Sequence, residues 1–161
     1  DTAMNIDPST EDLVKITEAS VDLVARFGIE PKVALLSHSN FGTSNAGSAK
    51  KMRTASELLR KKYPELQIDG EMHVLSALNP ALRDTIYSQA NLEGRANVLV
   101  MPSLDSANIA MGIIRSLTDA LLIGPFINGF RKPAHIVIPS VSSRGIFNMT
   151  ALTVADIHAA K

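Results

Sequence analysis

From Ser9 onward, apolar side chains recur every three or four positions: Leu13, Ile16, Val21 (with Ser20 on the same face), Val24 and Phe27. That spacing predicts a helix with one inward stripe. Ser9 can cap it, Asp12 three residues on can answer the cap, and Gly28 can end it. The period then changes. "KVALLS" is a short apolar run rich in branched side chains, which predicts a buried strand. The polar loop "FGTSNAGSA" follows, and a second helix over 49–62 turns Met52, Ala55, Leu58 and Leu59 inward before Pro64 stops it.

The same alternation continues. "LQIDG" reads as a short strand, and Asn79 before Pro80 suits a cap and first position for a helix through Tyr87. "NVLVMP" is a strand, and "SLDSANIAMGIIRSL" is a helix with Ile109, Ile113 and Leu117 on one face. "ALLIG" and "AHIVIP" are further strand candidates, and Ser142 or Ser143 can cap a last helix through Met149 and Val154. Strands alternating with helices predict an α/β fold of three α/β/α layers, with a mostly parallel sheet covered on both faces. The strands over 32–36, 97–101, 120–123 and 134–138 are expected in one sheet, unless the last leaves it for a neighbouring lobe. Residues 66–78 are less regular, and an antiparallel or edge strand is compatible with them. No internal repeat or low-complexity tract is present.

Composition narrows the class. A chain of 161 residues with 45% apolar content is one domain's worth of globular protein. Sixteen basic residues balance sixteen acidic ones without a charged run, which argues against nucleic acid as a partner. No uncharged apolar stretch is long enough for a transmembrane helix. The absence of cysteine removes disulfides and thiol nucleophiles and is compatible with the expected cytoplasmic location. The opening "DTAMNIDPST" has neither an initiator Met nor an apolar signal segment, so the chain reads as a piece of a longer protein.

In open α/β sheets, ligands sit beyond the carboxyl ends of strands, which here are residues 37–47, 69–73, 101–108 and 139–144. The loop "SHSNFGTSNAGS" supplies Ser37, Ser39, Asn40 and Thr43, with amides and glycines whose N–H groups could cradle an anion. It matches no nucleotide fingerprint, and an ordinary exposed connection is the competing interpretation. His38, His73, His135 and His158 form no metal pattern. Asp69, Glu71 and His73 alternate at strand spacing, which favours a hydrogen-bonded cluster over a metal site. Asp105 and Asn108 lie at a strand-to-helix turn, where orphan N–H groups suit a polar or anionic ligand, or where Ser103 or Asp105 simply caps the helix. Arg115 can bind a phosphate or be a solvated cation, and Lys132 alone carries no specific signal. Met52, Met111 and Met149 read as core filling. No nucleophile–base–acid set emerges from these residues.

Several segments together resemble the phosphate acetyltransferase family: "DTAMNIDPSTEDL", "FGIEPKVALLSHSNFGTS", "LQIDGEM", "ANVLVMPSLDSANI" and "IGPFINGFRKPAHI". They cover nearly the whole chain in family order. "KKMRTASELLRKKYPELQIDGEMH" and "KPAHIVIPSVSSRGIFNMTALTVAD" are most similar to the phosphotransacetylase-like C-terminal region of bacterial NADP-dependent malic enzymes. The resemblance implies a two-lobed, isocitrate/isopropylmalate dehydrogenase-like fold. Residues 1–125 would form the second lobe, with 28–124 as its core, and 126–161 would return to a first lobe whose remainder lies outside this chain. It further implies a homodimer or higher homo-oligomer, an acyl-CoA cleft between lobes, and a malic enzyme catalytic domain in the same parent chain.

In active members of that family, a Leu-Ser-Arg-Gly sequence follows the strand after Lys-Pro, and an Asp-rich sequence opens the next helix. Aligning that helix on "GIFNM" puts the family's Ser at Ile138, its Arg at Pro139 and an Asp at Gly145. The family's hydroxyl, guanidinium and carboxylate are thereby lost. The resemblance therefore implies a catalytically degenerate domain that retains binding apparatus. Its ligand-binding candidates are Ser37, Ser39, Asn40, Thr43, Asp105, Asn108, Arg115 and Lys132. The expected role is oligomerisation and allosteric response to acetyl-CoA. No metal or cofactor is expected in this chain, while NADP and Mg2+ or Mn2+ would serve the parent enzyme. An active acetyl- or butyryltransferase with a rearranged site, and a purely structural dimerisation module, are the alternatives.

Overall fold

Helix α1 (Thr10–Arg26) begins where its capping residues predict. In the computed structural model of the chain, which describes residues 1–120, 122–128, 132–137, 139 and 141–159, Ser9 and Asp12 form the reciprocal cap. The Asp12 N–H donates to the Ser9 hydroxyl at 3.1 Å, and the Ser9 N–H donates to the Asp12 carboxylate at 3.1 Å. Leu13 and Thr17 are the buried residues of this helix, so Thr17 takes an inner place expected for Ile16. Its hydroxyl donates to the Leu13 carbonyl at 2.7 Å, which satisfies the buried polar atom. Phe27 is the C-cap and half exposed.

Strands β1 (Lys32–Leu36), β2 (Gln67–Met72) and β3 (Val98–Val100) form one parallel sheet in the order β2-β1-β3. The less regular 66–78 region thus contains an edge strand of this sheet, parallel rather than antiparallel. Alternation along β1 divides the core between the two faces. Val33 and Leu35 pack with Leu13 of α1 and with Met52, Ala55 and Leu59 of α2 (Gly47–Lys62). Leu58, expected inward, is exposed. Ala34 and Leu36 pack on the other face with Met72, Leu92, Ala96 and Ala77 of α3 (Val74–Leu78). Helix α4 (Pro80–Ile86) follows Asn79, whose side chain accepts from the Leu82 N–H at 3.2 Å.

The chain divides into two compact units, Ala3–Ile109 and Ala110–Lys161, and the division falls within α5 (Leu104–Leu117). Ile109, Ile113 and Leu117 of that helix are all exposed. The second unit also contains α6 (Ser143–Ala159), capped by Ser142, whose hydroxyl accepts from the Gly145 N–H at 3.1 Å. Two expected strands are absent among the described residues. Leu121 and Ile138 lie outside the described residues, and residues 120, 122–123 and 134–137 are in no strand. Branched apolar side chains favour extended backbone, but a strand also requires a neighbour to complete its hydrogen-bond ladder. Among the described residues, these segments have no such neighbour. No helix among the described residues is long and apolar enough to cross a membrane.

Candidate ligand-binding site

Parallel pairing brings the carboxyl ends of β1, β2 and β3 to one edge of the sheet. At that edge the ladder slips. Leu35 pairs with Gly70 and Leu36 with Met72, which leaves Glu71 as the extra residue of a bulge on β2. Bulges re-aim side chains, and this one sends a fully buried carboxylate toward the loop that follows β1. The Glu71 Oε1 atom accepts from the Ser39 hydroxyl at 2.6 Å, the Gly42 N–H at 2.9 Å and Arg53 Nη2 at 2.9 Å. Arg53 Nε donates to the other oxygen at 2.9 Å, making the pair bidentate. Burial alone would push this carboxyl's pKa up, but Arg53, Ser39 and Gly42 outweigh it and hold it at about 2.

The loop is tied to itself as well. The Ser39 hydroxyl lies 3.1 Å from the Thr43 hydroxyl and accepts from the Ser44 N–H at 3.0 Å. The Ser39 N–H donates to the Ser37 hydroxyl, the Asn40 N–H to the Thr43 hydroxyl, the Phe41 N–H to the Glu71 carbonyl and the Thr43 N–H to the Asn40 carbonyl. Every backbone N–H from Ser39 to Ser44 therefore has a partner within the protein. These six groups are not spare donors for an anion. What this edge can offer a ligand is its side chains. The His38 ring lies 3.2 Å from the Ser44 hydroxyl, and Asn40 Oδ1 accepts from the His73 N–H at 2.8 Å and the Ser76 hydroxyl at 3.1 Å. His73 Nε2 meets the His38 carbonyl at 2.6 Å, and Phe41 stacks on Tyr87 with centroids 4.2 Å apart.

Asp69 belongs to a separate network. Burial pushes its pKa up, against the opposing pull of the Asn91 and Gly70 N–H groups and the Arg60 and Arg83 charges. Its oxygens accept from Asn91 at 2.6 Å and Gly70 at 2.9 Å, and Arg60 stands 3.5 Å away. Arg83 is itself buried and donates to the carbonyls of Ser76, Leu92 and Gly94. The single hydrogen-bonded cluster expected of Asp69, Glu71 and His73 does not form: the bulge separates the two carboxylates into different networks, and His73 bonds to Asn40 and the His38 carbonyl instead. No group of three metal-binding side chains is present among the described residues.

Ser37, Ser39, Asn40 and Thr43 are thus drawn together in one loop. Asp105 and Asn108 are exposed in α5, where the Ser103 hydroxyl accepts from the Ser106 N–H at 3.3 Å and supplies the cap. Arg115 is exposed in the last turn of α5, and it and the exposed Lys132 belong to the second unit. Pro139 is exposed, Gly145 sits in the first turn of α6, and Ile138 lies outside the described residues. The sequence reading missed Arg53, Arg60, Arg83 and Asn91. A signal for two of them existed. Carboxylates at 69 and 71 in a buried strand need cations, and Arg53 and Arg60 stand two turns apart on the crossover helix that packs against that strand.

The family model described as "Phosphate acetyl/butaryl transferase" matches residues 1–154. The chain belongs to the phosphate acetyl/butaryl transferase family. Two relatives of this transferase-family chain are malic enzymes. It is 47% identical over 97% of its length to the NAD-dependent malic enzyme of Rhizobium meliloti, and 47% identical over 97% to the NADP-dependent malic enzyme of Escherichia coli. It spans only 20% and 21% of those proteins. Among solved structures, a phosphotransacetylase from Streptococcus pyogenes superposes with a TM-score of 0.91 at 32% identity, over 99% of this chain and 48% of that one. The resemblance to the transferase family, and within it to malic enzymes, therefore holds, as does the mostly parallel α/β fold.

Proposed function

We propose that the chain is the phosphotransacetylase-like C-terminal domain of a malic enzyme, degenerate as a transferase and acting as an acetyl-CoA-responsive, oligomerising module. The observation that carries this reading is the 47% identity to malic enzymes along 97% of the chain, within a transferase fold. The positions matched to family chemistry support it. Ile138 has no hydroxyl, Pro139 has neither charge nor N–H, and Gly145 has no acid. A Cβ at Gly145 would lie 2.6 Å from Val141 Cγ2, so a carboxylate-bearing side chain there requires Val141 to move. In this reading the 37–46 loop is one ligand-binding candidate, and Arg115, in the second unit, is a separate candidate phosphate contact. The exposed Ile109, Ile113 and Leu117 support self-association, since an apolar stripe on a helix gains by being covered. The dehydrogenase chemistry, with NADP or NAD and Mg2+ or Mn2+, belongs to the rest of a cytoplasmic parent chain.

Loss of one transition-state contact costs roughly 3–4 kcal/mol, a factor of 10² to 10³ in rate. With three different groups missing, full-length protein freed of host transferase should convert acetyl-CoA and phosphate to acetyl phosphate only at background rate. Turnover that co-purifies with the protein through successive columns would favour an active transferase instead.

A further inference from the structure

Within the acyl-CoA reading just given, we infer that Glu71 and Arg53 are positioning residues that set the shape of the 39–44 loop. The reason is the arrangement of donors around one carboxylate. Glu71 enters the loop from a different strand and takes both a side-chain donor, Ser39, and a backbone donor, Gly42, on the same oxygen. Arg53 enters from α2, closes the carboxylate with a bidentate contact, and donates through Nη2 to the Ser44 carbonyl at 2.8 Å. The loop is thus gripped at residues 39, 42 and 44 by a pair that makes none of its contacts through the sheet ladder.

The grip has consequences at the surface. Phe41 sits at φ 45, a left-handed conformation uncommon for a large side chain, and it holds there while its ring stacks on Tyr87. Asn40 is turned so that its side-chain Oδ1 accepts from the His73 N–H and the Ser76 hydroxyl. His38, Asn40 and Thr43 therefore owe their presentation to the Glu71–Arg53 pair. With Oε1 replaced by an amide N–H in one orientation, or by a weaker neutral acceptor in the other, Glu71→Gln cannot satisfy Arg53, Ser39 and Gly42 together.

The test is hydrogen–deuterium exchange on full-length protein, read separately for the 39–46 loop and for β1 and β3, with acetyl-CoA affinity measured on the same samples. Glu71→Gln should speed loop exchange about tenfold or more at labelling times short enough that β1 and β3 remain unexchanged in both proteins, and should weaken acetyl-CoA about tenfold. Arg53→Lys, which keeps the charge but loses the fork, should fall between. Thr43→Val, an exposed and milder change, should loosen the loop about threefold if Glu71→Gln does not fold. Loop exchange equal to wild type in Glu71→Gln and Thr43→Val, or rising only together with β1, would overturn the inference. A loosened loop with unchanged acetyl-CoA affinity would overturn its link to the ligand. Wild-type protein that binds no acetyl-CoA would instead refute the acyl-CoA reading, with the exchange data still deciding whether Glu71 and Arg53 position the loop.

Discussion

Gly70→Ala should cost about 3 kcal/mol or more of stability and lower the melting temperature of the chain by ~10 °C. Gly70 has φ 144, a backbone conformation that side chains other than glycine rarely adopt. A Cβ there would lie 2.6 Å from the Leu35 carbonyl oxygen and 3.0 Å from Leu35 Cβ. Leu35 is fully buried at the centre of the sheet and hydrogen-bonded to both neighbouring strands, so neither atom can retreat cheaply. Gly47 is the matching control. It opens α2, and nothing lies within 4 Å of its added Cβ, so Gly47→Ala should be neutral within about 0.5 kcal/mol. Thermal unfolding of the two variants beside wild type checks the pair, and equal melting temperatures would contradict the packing described for β1 and β2.

The second large effect depends on pH. Glu71 is held at about 2, below the ordinary value of 4.5, so its folded-state pKa is depressed. Such a group stabilises the fold above pH 4.5 and loses that contribution as pH falls toward 2. The difference corresponds to roughly 3 kcal/mol. Asp69 has the opposite sign, because burial raises its pKa and its contribution declines as pH rises through the raised value. Both proteins of a wild-type and Glu71→Gln pair retain Asp69, so its slope cancels in their difference. Urea unfolding should show Glu71→Gln less stable by about 3 kcal/mol at pH 7, with the gap narrowing below pH 4.5 and closing near pH 2. A gap that stays constant across that range would assign the loss to packing rather than charge.

What could be read in advance follows from how local each signal is. The Ser9–Asp12 cap, the Asn79–Pro80 helix start and the stop at Pro64 are decided by neighbours in sequence, and they form as expected. β1 and β3 are uninterrupted enough in their apolar runs to be recognised, whereas β2 is broken by Asp69, Gly70 and Glu71 and is legible only as the short run "LQIDG"; the loops after all three fall on the expected edge. The 134–138 run is as branched as β1, yet residues 134–137 lie in no strand, because a ladder needs a partner that side-chain pattern does not specify. Arg53 was hidden for a similar reason. Helical periodicity separates inward Met52 from outward neighbours, but it does not show that a guanidinium at the margin reaches a bulged carboxylate eighteen residues on. The bulge itself is a register event between strands. No single segment announces it, although Gly70 beside two acidic residues in a buried strand is its residue-level trace.

The most direct measurement is an acetyl-CoA dose–response of malate oxidation by the full-length protein, made with wild type and Arg115→Ala at one ionic strength and one oligomeric state. Neutralising a phosphate contact should weaken the effector without abolishing it. Wild type should show a saturable change in rate, and Arg115→Ala should need about tenfold more acetyl-CoA, a loss of about 1.4 kcal/mol in binding free energy, while its rate without effector stays the same. Superimposable curves would remove Arg115 from the site. A flat wild-type curve, together with no calorimetric binding of acetyl-CoA, would contradict the regulatory function and leave a structural dimerisation module in its place.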